Sequence, residues 1–502
     1  MNINTDNDLL LTSEEERNLG VDPPLKTIMK LSFGPLVSQI ASALYSLVDS
    51  IYIAATIGEK GVAVFGAVFV VDFIAFSIAK FLSTGLSVRL SYLFGQNNKK
   101  DCAQMYVDFL QISMFFGVLI PLLVLPVTKP LVIWFGADEA LGKMCLQYMI
   151  PHAGGSFFTI IFYLGCGVVQ AQGQSKRYAG IQCIAFLLNC LVFDPIFLVW
   201  LRLPVWGAAL STILSHGIPG IVLMVLTFRG KMIFFPEWSM FTKKFSDETW
   251  PGIKVGFSTL IDEISSCLPC ILLQKYVNMA AIAIGQYNNV VICWAIVEKL
   301  YLIVGGVCIG FSEALLSSAS YAFGAGRMNR VLWLFIHSLW LSTLTTFSFS
   351  IICVIFPRKI SQFWSSNPEF LSISEKMLPI LFYAASTLGF QYIVPAVLQA
   401  TMRVFLASIL SIITMMIPLP LFSTYLYYSG DGKHNPVRVM FTYVMNDLFS
   451  LIMDILFILI PLRSLTSTVS SSKGFDPISS TKDIHYEDED IKSITSYVGE
   501  EA

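Results

Sequence analysis

Long apolar runs alternate with short polar connections along almost the entire chain. Twelve of these runs are 23–31 residues long, enough for an α-helix rising about 1.5 Å per residue to cross a hydrocarbon layer of about 30 Å. The predicted spans are 29–53, 63–93, 104–126, 146–170, 179–201, 206–228, 252–278, 289–319, 331–355, 377–401, 404–428 and 437–461. Because each run is continuous, the pattern favours helices over a transmembrane β-barrel, whose strands alternate in polarity. The sequence therefore predicts an all-α polytopic membrane protein.

The composition agrees with a membrane protein. Hydrophobic residues make up 55% of the 502 positions and charged residues 13%, against roughly 25% charged residues in soluble domains. The formal net charge of −2 gives no reason to expect a nucleic-acid partner. The first twenty residues are polar and acidic and lack the regions of a cleavable signal peptide, so we expect the first span to direct insertion into the lipid bilayer.

Two short motifs recur at a single offset. SYLFG at 91–95 returns as SYAFG at 320–324, and VVQA at 168–171 returns as VLQA at 397–400, in both cases 229 residues later. Each motif occupies the same place in a unit of six spans, and an even number of spans keeps both units in the same orientation. The repeat predicts two pseudo-symmetric six-helix lobes related by an axis along the membrane normal, as in alternating-access carriers.

The polar segments divide the chain into five parts. These are a cytoplasmic N-terminal segment, an N-lobe, an inter-lobe loop, a C-lobe and a disordered cytoplasmic tail, predicted at 1–26, 27–228, 229–250, 251–462 and 463–502. The tail is rich in Ser and Thr and then acidic, a composition typical of disorder. Between the spans, 14 Lys and Arg lie on the side of the N-terminus and 9 on the other side, which predicts cytoplasmic termini. We expect a multi-pass protein of the plasma membrane or an internal organelle membrane.

Ionisable residues lie inside the predicted spans, where they are costly and usually face a cavity. They are Asp49, Asp72, Lys80, Arg89 and Asp194 in the first half, and Lys254, Asp262, Glu263, Lys275, Glu298, Lys299, Glu313, Asp447 and Asp454 in the second. Most have two open interpretations, an ion pair between helices or a part in transport. Near span ends, Arg89 and Lys254 can instead extend to the membrane surface.

Asp49 and Asp194 differ from the others because neither has a basic neighbour in its own helix. Asp194 follows Asn189 and precedes Pro195, whose missing N–H frees a backbone carbonyl group and allows a kink. A carboxylate, an amide and a free carbonyl form an oxygen-rich site suited to a proton or a hard cation. These two acids are therefore the leading functional candidates.

The sequence contains no motif of catalysis or ATP binding. It lacks a Walker A loop, a nucleophile elbow and an HExxH pair, so no catalytic residues are assigned. His152, His216 and His337 have no metal-ligand spacing, and we interpret them as packing or cavity-lining residues. We expect no resident cofactor, and energy for transport must come from an ion gradient unless the movement is passive.

Several segments together resemble the multidrug and toxic compound extrusion (MATE) family. They are LSFGPLVSQIASALYSLVDSIYIAATIG, GLSVRLSYLFGQNNKKD, VVQAQGQSKRYA, LNCLVFDPIFL, VWGAALSTILSH, SEALLSSASYAFGAGRMNRV and VLQATMRVFLAS, in this order between residues 27 and 462. The resemblance implies twelve helices in two lobes around a central cavity. It also implies a monomeric transporter, not an enzyme, that exports cationic or amphipathic small molecules in exchange for H⁺ or Na⁺.

The resemblance further implies a cation site in the N-lobe. The family's first-helix acid falls on Asp49 and its sixth-helix Thr on Thr212. Its fifth-helix Asn and Asp fall on Asn189 and Asp194, which are five residues apart here and four in the family. Asn189 therefore joins the site only if a local distortion of the helix near Pro195 brings its side chain to the same face as Asp194. The coupling ion at Asp49 and Asp194 would be H⁺ or Na⁺.

Acids of the second lobe form a second rank of candidates. Glu263 and Glu298 match acids that other members of the family use in the seventh and eighth helices, and Asp262 adjoins Glu263. Some members also carry an acid in the tenth helix. The span 377–401 has none, so a C-lobe ion site of that type is not expected.

Three other functions stay open at this point. A flippase of the same superfamily, moving a lipid-linked saccharide or polysaccharide precursor, would need a basic cavity for phosphate groups, and few basic residues lie deep in these spans. A major facilitator shares the six-plus-six topology, but FGQNNKKDC lacks the Asp-Arg and paired-Arg pattern of the corresponding loop. A membrane-embedded enzyme would need a catalytic constellation that this sequence lacks.

Overall fold

The computed structural model describes residues 17–134, 138–362 and 367–472, without the side chains of 460–472 and of ten scattered positions. Every regular element in this part of the chain is helical. Eleven helices, and one pair bent by 49°, are long and apolar enough to cross a membrane. With the bent pair counted as one span, the twelve spans predicted from the sequence are confirmed.

Six spans form the first lobe. They are α1 Pro24–Thr56, α2 Glu59–Gly95, α3 Lys99–Trp134, α4 Glu139–Gly154 with Ser156–Ala171, α5 Ser175–Leu187 continued by Leu188–Phe193 and Pro195–Trp200, and α6 Trp206–Phe228. The two segments of α4 are the bent pair, and both continuations of α5 are π-helical. The loop after α6 contains a short 3₁₀ helix, Trp238–Thr242.

The second lobe repeats this order. Its spans are α7 Thr249–Ala283, α8 Tyr287–Gly324, α9 Met328–Ile355, α10 Pro368–Phe382 with Leu388–Ala400, α11 Val404–Ser411 continued by Ile412–Met416 and Pro418–Tyr428, and α12 Pro436–Ser472. A 3₁₀ turn at Ala385–Thr387 joins the segments of α10, and Ile412–Met416 of α11 is π-helical. A short helix, Pro357–Gln362, precedes α10.

The last helix corrects one sequence prediction. α12 continues to Ser472, so the first ten positions of the stretch 463–502, predicted to be a disordered tail, are helical. Helix propagation adds one hydrogen bond per residue once a helix exists, so a helix can continue past its last apolar turn. The rest of the predicted tail, 473–502, lies outside the described residues, as do residues 1–16 of the predicted N-terminal segment.

The repeated motifs SYLFG and SYAFG pack directly on each other where α2 and α8 end. A Cβ atom at Gly95 would collide with the carbonyl oxygen of Tyr321, and a Cβ atom at Gly324 would collide with that of Tyr92. Glycine is therefore required at both positions, because the two backbones approach too closely for any side chain. The contact is reciprocal, as a two-fold axis between the lobes demands.

Irregular backbone also recurs at matching places in the two lobes. α4 is interrupted at Gly155 and α10 at Ala384, which are 229 residues apart, the offset of the sequence motifs. Gly173 after α4 and Met402 after α10 both have positive φ, 70° and 59°, again at this offset. Each fifth helix contains a π-helical segment. The pseudo-symmetry thus includes the helix distortions and not only the number of spans.

Buried apolar side chains form a core within each lobe. One core includes Leu82 of α2 and Phe109 of α3, and another includes Val297 of α8 and Leu378 of α10. A third cluster, mostly from α8 to α10, also takes in Val88 of α2. Two cores therefore lie mainly in separate lobes, the third cluster contains residues of both, and the lobes meet along α1, α2, α7 and α8.

Asp108 of α3 fastens the inter-lobe loop to the first lobe. It is fully buried, and its Oδ2 accepts hydrogen bonds from the Ser246 backbone N–H at 2.8 Å and the Thr249 hydroxyl at 2.6 Å. Its Oδ1 accepts a hydrogen bond from the Gln104 amide at 2.7 Å. Since Thr249 is the first residue of α7, the Asp108 carboxylate fixes the start of the second lobe.

Arg89 of α2 binds the same loop. Its Nε donates to Oε2 of Glu248 at 2.7 Å, and a terminal guanidinium nitrogen contacts the same oxygen. Of the interpretations left open for Arg89, the structure shows an ion pair, formed with a carboxylate of the inter-lobe loop.

We expect Asp108→Ala to destabilise the folded protein by about 3 kcal/mol, because it leaves three donors around a buried site without their charged acceptor. Thermal unfolding of the purified protein in detergent measures the effect. Asp138→Ala is the matched control: it removes an exposed carboxylate that accepts one hydrogen bond from the Leu141 N–H at 2.7 Å, a helix cap typically worth about 1 kcal/mol. Equal unfolding midpoints for the two variants would contradict this role of Asp108.

The segment before α1 lies against the second lobe. Arg17–Val21 forms one π-helical turn, in which Leu19 is buried. Arg330 of α9 donates to the Leu19 carbonyl oxygen at 3.0 Å, and Arg327, just before α9, donates to that of Gly20 at 2.9 Å. These hydrogen bonds connect the start of the first lobe to the second.

Asp22 follows this turn and forms ion pairs with two lysines of α1. Its Oδ1 lies 3.0 Å from Nζ of Lys26 and its Oδ2 lies 2.5 Å from Nζ of Lys30. Burial by itself raises the pKa of Asp22, but the Lys30 and Lys26 ammonium groups outweigh burial and lower the pKa below its usual value. Because the folded-state pKa is depressed, the pairs stabilise the fold above the unfolded-state value of about 3.9 and lose this contribution as pH falls through the folded-state pKa.

We expect Asp22→Asn to lower stability at pH 7 by about 1 kcal/mol, a small effect because solvent screens exposed partners and the Lys26 side chain is 55% exposed. The difference from the unsubstituted protein should shrink towards zero as the pH falls below about 4. Thermal unfolding midpoints at a series of pH values measure this. A difference that stays constant down to pH 3 would show that the carboxylate charge is not responsible.

Candidate functional site

The π-helical turn of α5 brings Asn189 and Asp194 to the same face. The Asp194 backbone N–H donates to the Asn189 carbonyl oxygen, five residues earlier, as a π-turn requires. In a regular α-helix a five-residue step would direct the two side chains apart, and the wider turn removes this difference. The local distortion on which Asn189 depended is present, and Asn189 joins the site.

The Asn189 amide connects two carboxyl groups from different helices. Its nitrogen donates to Oδ1 of Asp49 at 2.8 Å and to Oδ2 of Asp194 at 3.2 Å. Its oxygen accepts hydrogen bonds from the Ser211 hydroxyl at 2.9 Å and the Tyr45 hydroxyl at 3.0 Å. This amide orientation is the one that satisfies the donors and acceptors around it. One side chain therefore links α1, α5 and α6.

The Asp49–Asp194 pair is buried and has no basic partner. Asp49 is 3% exposed and Asp194 is 0% exposed, and their carboxyl groups lie close enough to interact electrostatically. Oδ1 of Asp194 has no hydrogen-bond partner in the described part of the chain, and the ion pairs found there do not include either acid. Two adjacent carboxylates in a low-dielectric site repel each other strongly. The pair is therefore a place for one proton or one cation.

Thr212 lies at the edge of this site. Its hydroxyl donates to the Ala208 carbonyl oxygen at 3.2 Å and is close to the Tyr45 hydroxyl. The hydroxyl that reaches Asn189 belongs to the preceding residue, Ser211. The sequence interpretation missed Ser211 and Tyr45, although Tyr45 is four residues before Asp49 and so lies on the same face of α1.

The second-rank acids of the C-lobe do not join the N-lobe pair. Asp262 of α7 lies near Ser411 and within electrostatic range of Asp454, which is 1% exposed. Glu263, next along α7, lies within electrostatic range of the inter-lobe ion pair described below. The side chain of Glu298 lies outside the described residues.

An ion pair between the lobes lines a small pocket, which we call the central cavity. Nζ of Lys80 in α2 lies 2.7 Å from Oε1 of Glu313 in α8, and each side chain is 14% exposed. The Gln170 amide donates to the Glu313 carbonyl oxygen at 3.1 Å, and the cavity has a volume of about 20 Å³ and is partly open to solvent. Tyr163 and Tyr178 also line it. The deep basic residue Lys80 is thus neutralised by a carboxylate from the opposite lobe.

A model of a known protein family matches the part of the chain that contains the site. The model described as MatE matches residues 36–196 and 290–424, more than half of the chain. The first matched range contains Asp49, Asn189 and Asp194.

Individual relatives are distant but extend over most of the chain. The probable multidrug resistance protein YpnP of Bacillus subtilis is 22% identical over 432 residues, which cover 81% of this chain and 90% of that protein. The multidrug export protein MepA of Staphylococcus haemolyticus is 21% identical over 386 residues, which cover 75% and 81%. Among solved structures, a MOP superfamily transporter from Pyrococcus furiosus, described as having a binding pocket of reverse polarity, superposes with a TM-score of 0.82 at 20% identity. It covers 91% of this chain and 99% of its own, which establishes the shared fold.

Proposed function

The chain belongs to the MatE family of membrane transporters, and on that basis we propose that it is a secondary antiporter that exports organic cations, drugs or amphipathic metabolites in exchange for H⁺ or Na⁺. The observation that carries the proposal is the buried Asp49–Asp194 pair, bridged by Asn189 and paired with no lysine or arginine among the described residues. A pair of this kind takes up a proton or cation and releases it when the surroundings change. That is the chemistry a coupling site needs.

Exchange follows from the charge state of this pair. When the pair is neutralised, the repulsion between Asp49 and Asp194 disappears and α1, α5 and α6 can draw together around Asn189. When the pair is charged, the same helices separate. Because the two packings differ in energy, ion binding shifts the equilibrium between conformations of the lobe and so couples the ion to substrate release.

The charges of the central cavity support a cationic substrate. Lys80 is paired with Glu313, and Glu263 lies within electrostatic range of both, so acids outnumber bases around this ion pair. In a site shielded from water a net negative charge attracts organic cations strongly. Aromatic side chains, Tyr163 and Tyr178, add faces on which a flat cation can stack.

The alternative is a flippase that moves a lipid-linked saccharide or polysaccharide precursor. Its substrates carry phosphate groups, which need basic partners. The basic residue that lines this cavity, Lys80, is already neutralised by Glu313. This observation favours the antiporter.

The test is efflux of a fluorescent organic cation from vesicles that contain the purified protein. The pH gradient and the Na⁺ gradient are collapsed one at a time. We expect efflux to stop when one of the two gradients is removed. Efflux that needs neither, or movement of a lipid-linked saccharide in the same vesicles without any gradient, would overturn the antiport proposal.

We also propose the oligomeric state, the membrane orientation and the location of the protein. The protein acts as a monomer with both termini in the cytoplasm, and the lobes are 27–228 and 251–462. Its membrane is the plasma membrane or that of an internal organelle. Protease accessibility of tags at the two termini of sealed vesicles tests the orientation.

A further inference from the structure

A line of polar side chains leads from the cavity side of α2 to the Asp49–Asp194 pair. It begins at Asp72, whose side chain is 39% exposed. Asp72 lies on the same helical face as Ser83 and Ser87, because steps of 11 and 15 residues are close to whole numbers of turns, and both serines line the central cavity. A carboxyl group at this depth faces water in a cavity and not lipid. Asp72 therefore lies on the cavity side of α2, where its exposed carboxyl group can take up protons.

Asp72 is in direct contact with a histidine of another helix. Nε2 of His152 in α4 lies 2.5 Å from Oδ1 of Asp72, and the His152 side chain is 13% exposed. Nδ1 of His152 is buried and has no hydrogen-bond partner in the described part of the chain. The pair joins α2 to α4, beside the bend at Gly155.

Tyr148 connects this pair to the buried acids. It lies one turn before His152 in α4, and the two rings stack with centroids 5.5 Å apart. The Tyr148 side chain is buried and lies within electrostatic range of Asp72, Asp49 and Tyr45. A tyrosine hydroxyl both donates and accepts, so it can pass a proton while regaining one.

Further titratable groups lie near Asp72, His152 and Tyr148. The titratable and charged groups that face Asp72 and His152 are Tyr148 and Tyr163 of α4 and His216 of α6. His216 stacks on Tyr45 at 5.9 Å between ring centroids, and Tyr45 donates to the Asn189 oxygen at 3.0 Å. Nδ1 of His216 is also buried and has no partner among the described residues. His152 and Tyr148 thus stack beside Asp72, and His216 and Tyr45 stack beside Asn189.

We propose that Asp72, His152 and Tyr148 form the route by which protons travel between the central cavity and the Asp49–Asp194 pair, which makes H⁺ the coupling ion. The inference rests on the proposed antiport. A proton from cavity water charges the His152–Asp72 pair. The pair then gives a proton to the Tyr148 oxygen while the Tyr148 hydroxyl proton passes to the Asp49 carboxylate, directly or through one water. One proton has moved, Tyr148 is restored, and no other bond changes.

The test compares four variants in vesicles with an imposed pH gradient and a constant Na⁺ concentration. Tyr148→Phe removes only the hydroxyl group, Asp72→Asn and His152→Gln remove the proton carriers, and His337→Gln on α9 of the other lobe is the matched control. We expect the first three to lower the proton-driven efflux of a fluorescent cation about tenfold or more and to shift its pH profile, with His337→Gln unchanged. Equilibrium binding of the same cation in detergent should be unaltered in all four.

Chemical rescue distinguishes proton transfer from a structural tie between α2 and α4. In His152→Ala, added imidazole should restore part of the proton-driven rate, because it can occupy the vacated space and carry the proton. No rescue, combined with a parallel loss of substrate binding, would overturn the route in favour of a structural role. So would wild-type rates and pH profiles in Tyr148→Phe and Asp72→Asn.

The behaviour of the unsubstituted protein separates this inference from the antiport itself. Exchange driven by Na⁺ and indifferent to the pH gradient would overturn the proton route and leave antiport standing. Exchange driven by neither ion would overturn both.

Discussion

Asp49→Asn is expected to reduce efflux to the background of empty vesicles while leaving expression, membrane insertion and thermal stability nearly unchanged. The substitution conserves shape, and the new amide oxygen can still accept the hydrogen bond that Asn189 donates to Oδ1 at 2.8 Å. What disappears is the charge. With a permanently neutral group at this position, the pair no longer responds to proton or cation binding, and the conformational equilibrium of the lobe is no longer coupled to the ion.

The measurement is efflux of a fluorescent cation under each imposed gradient, with unfolding midpoints recorded on the same preparations. Asp138→Asn, at an exposed helix cap, is the control for loss of a carboxylate outside the site. Full efflux by Asp49→Asn would remove the basis of the N-lobe site. Loss of efflux together with loss of folded protein would indicate that the carboxylate is structural.

Gly95→Ala and Gly324→Ala should each shift the lobes strongly away from the closed contact between α2 and α8. In both cases the added Cβ atom would collide with a backbone carbonyl oxygen of the opposite lobe, that of Tyr321 or Tyr92. A backbone atom cannot rotate aside as a side chain can, and overpacking of this kind typically costs about 1–3 kcal/mol. If the contact opens and closes during transport, this cost corresponds to a shift of roughly 5–150-fold in the equilibrium between closed and open forms.

Spin labels at Gln96 and Asn329, both exposed beside this contact, report the distance between the lobes at this end. The reciprocal geometry predicts similar shifts for the two variants, and combining them should add little, because either substitution alone already separates the helices. Gly66→Ala is the control in the same helix, since a Cβ atom there meets nothing within 4 Å. A shift in one variant and none in the other would contradict the two-fold relation.

The motifs that suggested a repeat also identify where the lobes meet, although their position at the contact could not be read from the sequence. SYLFG and SYAFG indicate two equivalent units by recurring at one offset. That the two copies touch each other, and that each glycine is required by a tyrosine carbonyl of the other copy, depends on how the units associate. Sequence spacing reports the distance along the chain and contains no information about which faces of two helices are opposed.

Within the site, the sequence predicted the acids and the structure decided the geometry that joins them. Asp49 and Asp194 stand out because placing a carboxylate in an apolar span is energetically costly, which indicates a function. The five-residue step to Asn189 left two outcomes, and the choice depended on the hydrogen-bond register of α5, which becomes π-helical before Pro195. Small differences in backbone energy decide such a register, and packing against α1 and α6 supplies them.

For the ion pairs too, the sequence shows the charged residue but not its partner. The sequence places Lys80 and Arg89 inside a predicted span and leaves open whether each is paired or functional, and Asp108 lies near the start of the third predicted span. Their partners, Glu313, Glu248 and the start of α7, come from 140 or more residues away. A charge can be recognised from one position, but its neutralisation needs a second side chain that only the tertiary fold brings near.

The apolar runs by themselves determine that the chain crosses a membrane twelve times as helices, because the bilayer accepts only segments whose backbone hydrogen bonds are satisfied internally. They also determine that a carboxylate in such a segment is exceptional. The tertiary structure alone decided that Asp49 and Asp194 share one amide, that Lys80 pairs with Glu313 of the other lobe, and that His152 contacts Asp72 and stacks on Tyr148. Helix formation depends on local, periodic patterns of apolar residues, and so it can be predicted from the sequence. The pairing of buried polar groups depends on which helix faces meet. The sequence does not specify these faces, so the partners and the chemical properties of the groups are set only when the helices pack together.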